Sequence, residues 1–221
     1  MKLNKKEKND MSEKTIIISC AGMGTRLGIG STKALIDING KPLIIRQLEL
    51  LKDYKDICIV VGYQADKVIE TVSQYRKDIR FAFNHDYRTT GTAASFSKGL
   101  LGAKDLVVAL DGDLLVNPDD LKKFLSQDEE CIGGCVPTTD NPVLMTIDNN
   151  MVTSFSREYG DLEWTGLVQV KKDRLKEGTG HVYQMLEQLL PIKLMRIRTK
   201  EIDTMNDYEN AIKWINNGYK D

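Results

Sequence analysis

Two cations beside a run of glycines open the chemistry of this chain. An apolar run from Ile16 to Cys20 breaks into a loop holding Gly22, Gly24 and Gly28, with Arg26 inside it and Lys33 seven residues later. Glycine lets the backbone come close to a ligand because no Cβ stands in the way. A guanidinium and an ammonium in one short segment suit the oxygens of a polyphosphate. A second apolar run, Val107 to Leu110, ends in Asp111-Gly112-Asp113. Carboxylates at the C-terminal end of a buried parallel strand sit where open α/β folds bind ligands. A third segment runs from Asn84 to Ser95, where Thr90-Gly91-Thr92 leads into an Ala/Ser helix start. Such a loop offers free backbone amides and room for a flat ring, so Gly91, Thr92 and Ser95 are expected near a base or ribose.

These residues need elements to hold them. Thr15–Cys20, Asp56–Val61, Arg80–Phe83 and Leu106–Leu110 are short, β-branched-rich runs bounded by turn residues, as buried parallel strands are. Pro42–Lys52, Asp66–Arg76 and Thr92–Leu101 between them have helical spacing. Asn117 is placed to cap a helix that opens with Pro118. From Glu130 the strand candidates crowd together: Cys131–Pro137, Val143–Ile147, Met151–Phe155 and Leu162–Val170, with a hairpin turn at Asp148-Asn149-Asn150. A helix near His181–Leu190, a strand near Lys193–Ile197 and a helix from Asn206 to Asn216 follow. The pattern predicts an α/β fold, a three-layer Rossmann-like mixed sheet that is mostly parallel. A partly antiparallel insertion occupies about residues 130–190. Residues 1–14 are read as a disordered polar tail and 15–221 as a single domain.

Several function classes drop out. The glycine loop nearly satisfies G-x-G-x-x-G, but Leu27 stands where the third glycine belongs, and the second strand ends at Val61-Gly62 without a ribose-binding acid. No Walker A sequence is present. Lysine and arginine number 31 against 32 aspartates and glutamates, which removes the electrostatic case for a nucleic-acid partner or a membrane surface. No apolar stretch nears the roughly 18 residues of a membrane span, and the lysine-rich start lacks the apolar core of a secretory signal. A cytoplasmic protein without membrane insertion is expected. Cys20, Cys58, Cys131 and Cys135 share the chain with only two histidines, so no zinc set is expected and buried thiols are.

The opening segment resembles the nucleotidyltransferases that join a nucleoside triphosphate to a phosphorylated small molecule. Their opening motif runs A-G-x-G-[TS]-R-[LM], then K-x-L, then G-K-P-[LM]. Here it reads Ala21-Gly22-Met23-Gly24-Thr25-Arg26-Leu27, then Lys33-Ala34-Leu35, then Gly40-Lys41-Pro42-Leu43. Thr32 departs from the proline that most members carry. The resemblance implies that Ala21, Gly22, Gly24, Thr25 and Arg26 hold the triphosphate while Lys33 lies against the phosphates, Arg26 and Lys33 being the catalytic cations. It also implies that Asp113 is a metal ligand; Asp111 is the runner-up for that role and is otherwise expected to contact the nucleotide. Glu201-Ile202-Asp203-Thr204 matches the late E-I-D-T-x-x-D motif, whose aspartate, Asp203, supplies the second metal ligand. Two carboxylates and phosphate oxygens suit Mg²⁺. Asn84, Tyr87 and Ser95 resemble the pattern of choline-phosphate and related cytidylyltransferases, whereas Thr90-Gly91-Thr92 borrows from hexose-phosphate enzymes.

The same resemblance puts Glu158–Gly166 on the acceptor side. Tyr159 and Trp164 are expected as an aromatic wall, with Asp161 and Glu163 attracting a cationic head group such as that of phosphocholine. His181 is expected to cap a helix or face solvent. The implied reaction is attack by a phosphate or phosphonate oxygen of a small acceptor on the α-phosphorus of CTP, with release of pyrophosphate. That oxygen is already anionic, so no strong general base is needed. Two alternatives stay open: a sugar-1-phosphate nucleotidyltransferase using UTP, dTTP or GTP, and a catalytically silent nucleotide-binding regulator.

Overall fold

Successive isoleucines of the first strand, β1 (Lys14–Cys20), enter different cores. Ile16 and Ile18 belong to one apolar cluster and Ile17 to another. That alternation is what a sheet covered on both faces requires. The computed structural model describes residues 14–24, 28 and 30–220. After β1 come α1 (Leu43–Leu50), β2 (Ile57–Val61), α2 (Ala65–Tyr75), β3 (Arg80–Phe83), α3 (Thr92–Gly99) and β4 (Leu106–Asp111). These strands pair in parallel in the order β3-β2-β1-β4. α1 and α2 contribute Ile44, Leu48, Val68 and Val72 to one core, and α3 contributes Ala93 and Phe96 to the other. The three layers expected from the sequence are present.

The first half matches its sequence reading to within a few residues at each end. Lys14, assigned to the tail by its charge, instead begins β1. Its ammonium is buried and donates to Leu125 O (2.8 Å), Gln127 O (2.7 Å) and Gln169 Oε1 (3.0 Å). Residues 1–13 lie outside the described residues.

The second half holds β5 (Leu114–Val116), α4 (Pro118–Leu125), β6 (Cys131–Cys135), β7 (Leu144–Asp148), β8 (Met151–Ser156) and β9 (Leu162–Lys171). It ends with α5 (Val182–Leu186), β10 (Ile192–Arg196), β11 (Thr199–Glu201) and α6 (Met205–Asn216). β9 runs antiparallel to β4 and carries the sheet on as β4-β9-β6-β10-β8-β7. Because β7 also pairs with β9, the last five strands close into a ring around Ile132, Met145, Val152 and Leu194. The β7–β8 hairpin turns on Asn149 and Asn150, both at positive φ (47° and 63°), as a tight two-residue turn demands. Asn117 caps α4, its side chain accepting from Asp119 N at 3.0 Å and Asp120 N at 3.1 Å. The helix expected at His181–Leu190 is shorter, giving way to a 3₁₀ turn over Glu187–Leu189.

One element was not anticipated. β5 and β11 form a separate two-stranded antiparallel sheet, and Ala211 and Trp214 of α6 join Leu115 of β5 and Ile202 in one apolar cluster. All four cysteines are free thiols; Cys20, Cys58 and Cys131 are buried and Cys135 is partly so. Among the described residues, no helix is long and apolar enough to cross a membrane.

Candidate active site

The small β5–β11 sheet brings the acidic residues together. β4 ends at Asp111, and the chain turns through Gly112 and Asp113 into β5, with Gly112 N donating to Ser19 O at 2.9 Å. Buried Gln47 on α1 braces this turn by donating to Asp111 O and Leu114 O, both at 2.8 Å. Glu201 of β11 lies opposite Leu114, and Ile202 N donates to the Asp113 carbonyl at 3.2 Å. Asp203 follows at once, fixed by the start of α6. Thr204 and Asp207 form a reciprocal cap there, and Asp207 Oδ2 also accepts from Asp203 N at 3.3 Å. Asp113, Glu201 and Asp203 thereby offer carboxylate oxygens that all lie within 4.8 Å of one another. Lys33, on a 3₁₀ turn over Lys33–Leu35, donates to Asp113 Oδ2 at 2.8 Å and also to Asp203 Oδ1.

The ionisable groups of this cluster shift one another. Burial alone would lower the pKa of the Lys33 ammonium, but Asp113 and Asp203 overcome it and hold the group above the ordinary lysine value. Glu201 is pushed up to about 8 by burial and then by Asp113, Asp203 and Asp111. Asp111 rises to about 7 through burial and the Asp113 charge, against the pull of Lys33. Among the described residues, Asp111, Asp113, Glu201 and Asp203 feel one another's charge beside the Lys33 ammonium. Converging oxygen donors of this kind fit a hard divalent cation such as Mg²⁺. Glu201 is the member that motif reading left without a role. Its place two residues before Asp203, within the matched Glu201-Ile202-Asp203-Thr204 run, was the available signal.

This cluster forms one end of a cavity of about 780 Å³ at the C-terminal edge of the parallel strands. Ala21, Gly22 and Gly24 line it, as do Asn84, Gly91, Thr92, Ser95, Asp111, Glu163 and Trp164. Gly24 has φ +60°, and a Cβ there would sit 2.9 Å from Lys33 Cγ, so the glycine loop lies directly against the lysine stem. Thr25 and Arg26 lie outside the described residues.

The Asn84–Ser95 segment is more internally bonded than its sequence suggested. Gly91 N donates to Thr179 O (2.8 Å) and Ala93 N to Gly180 O (2.9 Å), so neither amide is free for a ligand. Asn84 is buried and acts as a cross-brace, its amide donating to Ser95 Oγ (3.0 Å) and Thr90 Oγ1 (3.2 Å). The loop still lines the cavity, but its shape is set from within.

The acceptor-side expectations fare differently from one another. Tyr159 is 67% exposed and is not among the residues lining the cavity. Glu163 lines it, but its carboxylate is buried and accepts from Thr138 N (2.7 Å), Thr139 N (3.3 Å) and the Thr139 hydroxyl. A carboxylate that is satisfied in this way is occupied in holding a loop. Asp161 is likewise engaged, accepting from Ile147 N at 2.8 Å. Trp164 reaches the cavity with its indole N–H tied to Leu167 O (3.2 Å) and its ring edge-on to Phe155. His181 precedes α5, its amide bonded to Gln184 Oε1 at 2.8 Å, and its ring stacks on Tyr183. Sequence reasoning passed over Arg157 and Tyr183, which also line this end.

A mixed α/β sheet with a glycine loop, a bridging lysine and converging acids at its C-terminal edge defines a nucleotidyltransferase-class domain. The chain belongs to the family of MobA-like NTP transferase domains, whose pattern spans residues 16–171. It is 34% identical over 116 residues to bifunctional protein GlmU of Aliarcobacter butzleri, covering 52% of this chain and 27% of that one. Against GlmU of Pseudomonas aeruginosa, identity is 27% over 184 residues, 76% of this chain and 40% of the relative. The chain therefore spans well under half the length of either relative. Among solved structures it is similar to the CTP:phosphocholine cytidylyltransferase of Streptococcus pneumoniae, with TM-score 0.73, 20% identity, and coverage of 91% of this chain and 98% of the other. It is also similar to the inositol-1-phosphate CTP transferase of T. maritima, with TM-score 0.76, 18% identity, and coverage of 95% and 99%. At such identities these likenesses define the fold.

Proposed function

We propose that this chain transfers a nucleotidyl group, CMP from CTP, to a small acceptor carrying a phosphate or phosphonate group, and releases pyrophosphate. The supporting observation is the convergence of Lys33 with Asp113, Glu201 and Asp203 at one end of a cavity whose other walls include the glycine loop and the Asn84–Ser95 segment. In this reading Ala21, Gly22, Gly24, Thr25 and Arg26 hold the triphosphate, and Asp113 and Asp203, joined by Glu201, hold Mg²⁺. An ion held there would neutralise charge on the phosphate oxygens. Lys33 is the chain's own contribution: already ionised and fixed by two carboxylates, it is preorganised to meet charge building on the pyrophosphate. Positioning does the rest, because an acceptor oxyanion needs no base to become a nucleophile. The two CTP-using neighbours favour cytidine.

A second reading, a sugar-1-phosphate nucleotidyltransferase using UTP, dTTP or GTP, is favoured by Thr90-Gly91-Thr92. A solved neighbour, HddC from Yersinia pseudotuberculosis (TM-score 0.72, 21% identity), is complexed with GMP-PN. A panel of four nucleoside triphosphates, crossed with phosphocholine, aminoethylphosphonate, hexose 1-phosphates and phosphoserine, separates the readings by pyrophosphate release with Mg²⁺. CTP with a non-sugar acceptor supports the first, and release only with sugar phosphates supports the second. Tight nucleotide binding without release from any pair would overturn both in favour of a silent regulator.

A further inference from the structure

We propose that Arg157 and Tyr183 form an anion-recognising corner of the cavity, so that the acceptor carries a second oxyanionic group besides the phosphate or phosphonate oxygen that reacts. This deepens, and rests on, the transfer reaction proposed above. Two basic side chains besides His181 line the cavity among the described residues, Lys33 and Arg157. The Lys33 ammonium is taken up by Asp113 and Asp203. Arg157 has no carboxylate partner among the described residues, and one protein hydrogen bond, from Nη1 to Asn141 O at 2.7 Å. A guanidinium has five N–H donors in a planar fork, so the Nε–Nη2 edge is left for a ligand. Two parallel N–H donors on such an edge match the two oxygens of a carboxylate or phosphate.

The fork is also held in place. Its central carbon lies 5.4 Å from the centre of the Tyr183 ring. That ring is in turn steadied by Phe155 at 5.9 Å and by the stacked imidazole of His181, also at 5.9 Å. The Asn141 carbonyl fixes the other end. An arginine stacked on one face and bonded at one nitrogen loses little freedom when it takes a ligand. Other charges near this corner do not compensate it: Glu163 is saturated by Thr138 and Thr139, and Asp140, which lines the same end, makes no ion pair with Arg157 among the described residues.

The arrangement also works against a quaternary ammonium head group. Such a cation would have to compete with the guanidinium already over Tyr183, while Tyr159 and the Glu163 carboxylate, expected to attract it, are engaged elsewhere or outside the cavity.

The test uses acceptors that differ only by the second anion: phosphoserine against phosphoethanolamine, and 3-phosphoglycerate against glycerol 3-phosphate. These are compared in wild type, Arg157→Gln and Arg157→Lys. Glutamine can still donate to Asn141 O but loses the charge and the fork. In wild type, the carboxylated member of at least one pair is expected to have a KM lower by on the order of 10–100-fold, the range for a charge-assisted pair. Arg157→Gln should erase that preference while leaving the KM for the nucleotide within about twofold, and Arg157→Lys should restore part of it. Equal KM values within both pairs in wild type, or a preference that survives Arg157→Gln, overturn the proposal. If none of these four acceptors is turned over, the transfer reading is judged by the wider panel above, and the corner separately by titration calorimetry of phosphoserine and phosphoethanolamine. Tighter phosphoserine binding that Arg157→Gln abolishes supports the corner; equal binding, or none, overturns it.

Discussion

The Lys33 ammonium sits 2.8 Å from Asp113 Oδ2 and is bonded to Asp203 as well, so one side chain ties the end of β4 to the segment after β11. Removing it takes away a preorganised cation and its bonds to Asp113 and Asp203. Lys33→Ala is expected to lower the rate of pyrophosphate release by on the order of 10²–10³. The stability readout separates this loss from unfolding. Without the ammonium, the acids need another cation, so Mg²⁺ should raise the melting temperature of Lys33→Ala more than that of wild type. Asp203→Asn should show the opposite, a smaller response to Mg²⁺. Wild-type turnover in Lys33→Ala would remove the lysine from the mechanism.

The strand that carries Glu201 is anchored from α4. Asp120 accepts from Arg198 Nε at 2.7 Å and Nη2 at 3.0 Å, and from Arg198 N at 3.1 Å. The side-chain hydrogen bond from Arg198, together with its backbone N–H and its charge, outweighs burial and holds the Asp120 carboxyl below its ordinary value of 3.8. A depressed acid contributes stability above its unfolded pKa, and that contribution is lost as pH falls through the folded value. Asp120→Asn is therefore expected to be less stable than wild type at pH 7 and to converge on it below about pH 3.8. Urea midpoints measured for both proteins from pH 7 to pH 2.5 check this. A constant gap across that range would mean that the carboxylate charge contributes nothing.

Much of the first half was legible because each strand is a short apolar run bounded by turn residues and each helix has a single apolar face. The C-terminal edge of β1 and β4 could be located from those runs, and with it Asp111 and Asp113. The β5–β11 sheet was not legible, because strands of three residues are too short to show a period. The meeting of Asp113 with Asp203 depends on that sheet, so sequence could supply it only through family resemblance. Glu163 shows the opposite failure. Beside Trp164 it reads as an open charge, and only the fold brings the Thr138 and Thr139 amides to it. Arg157 carries no local signal at all, since its partners, Asn141 and Tyr183, are separated from it in sequence and meet it through the strand ring.

Gln64 links the glycine loop to the end of β2. It stands at positive φ (50°), donates to Gly30 O at 3.0 Å, and accepts from Thr32 N and the Ser31 hydroxyl, each at 3.3 Å. These bonds hold the stretch immediately before Lys33. Net hydrogen-bond contributions of about 0.5–1.5 kcal/mol predict a rise of roughly 2–10-fold in the KM for the nucleotide in Gln64→Ala, with a smaller change in kcat. Gln64→Gly should show the same KM shift although it relieves the backbone, because the amide is what holds the loop. If Gln64→Gly behaves as wild type, backbone conformation at this position matters and the side chain does not.

Gly91 is pressed against the backbone of another loop. A Cβ at this position would fall 2.1 Å from the Gly180 carbonyl oxygen, a contact that no side-chain rotation can relieve. Gly91→Ala must therefore push the 178–181 segment away from α3. That movement strains the Gly91–Thr179 and Ala93–Gly180 backbone bonds and the bond from Val182 N to Thr92 Oγ1 (3.2 Å). Overpacking of this kind costs about 1–3 kcal/mol, which for a domain of this size lowers the melting temperature by roughly 2–12 °C. The displaced segment carries His181 and leads to Tyr183, both of which line the cavity. The KM for the acceptor should therefore rise along with the loss of stability. Thermal melts and acceptor titrations on Gly91→Ala check the pair of effects together. A stable variant with unchanged acceptor KM would show that the two loops are not rigidly joined.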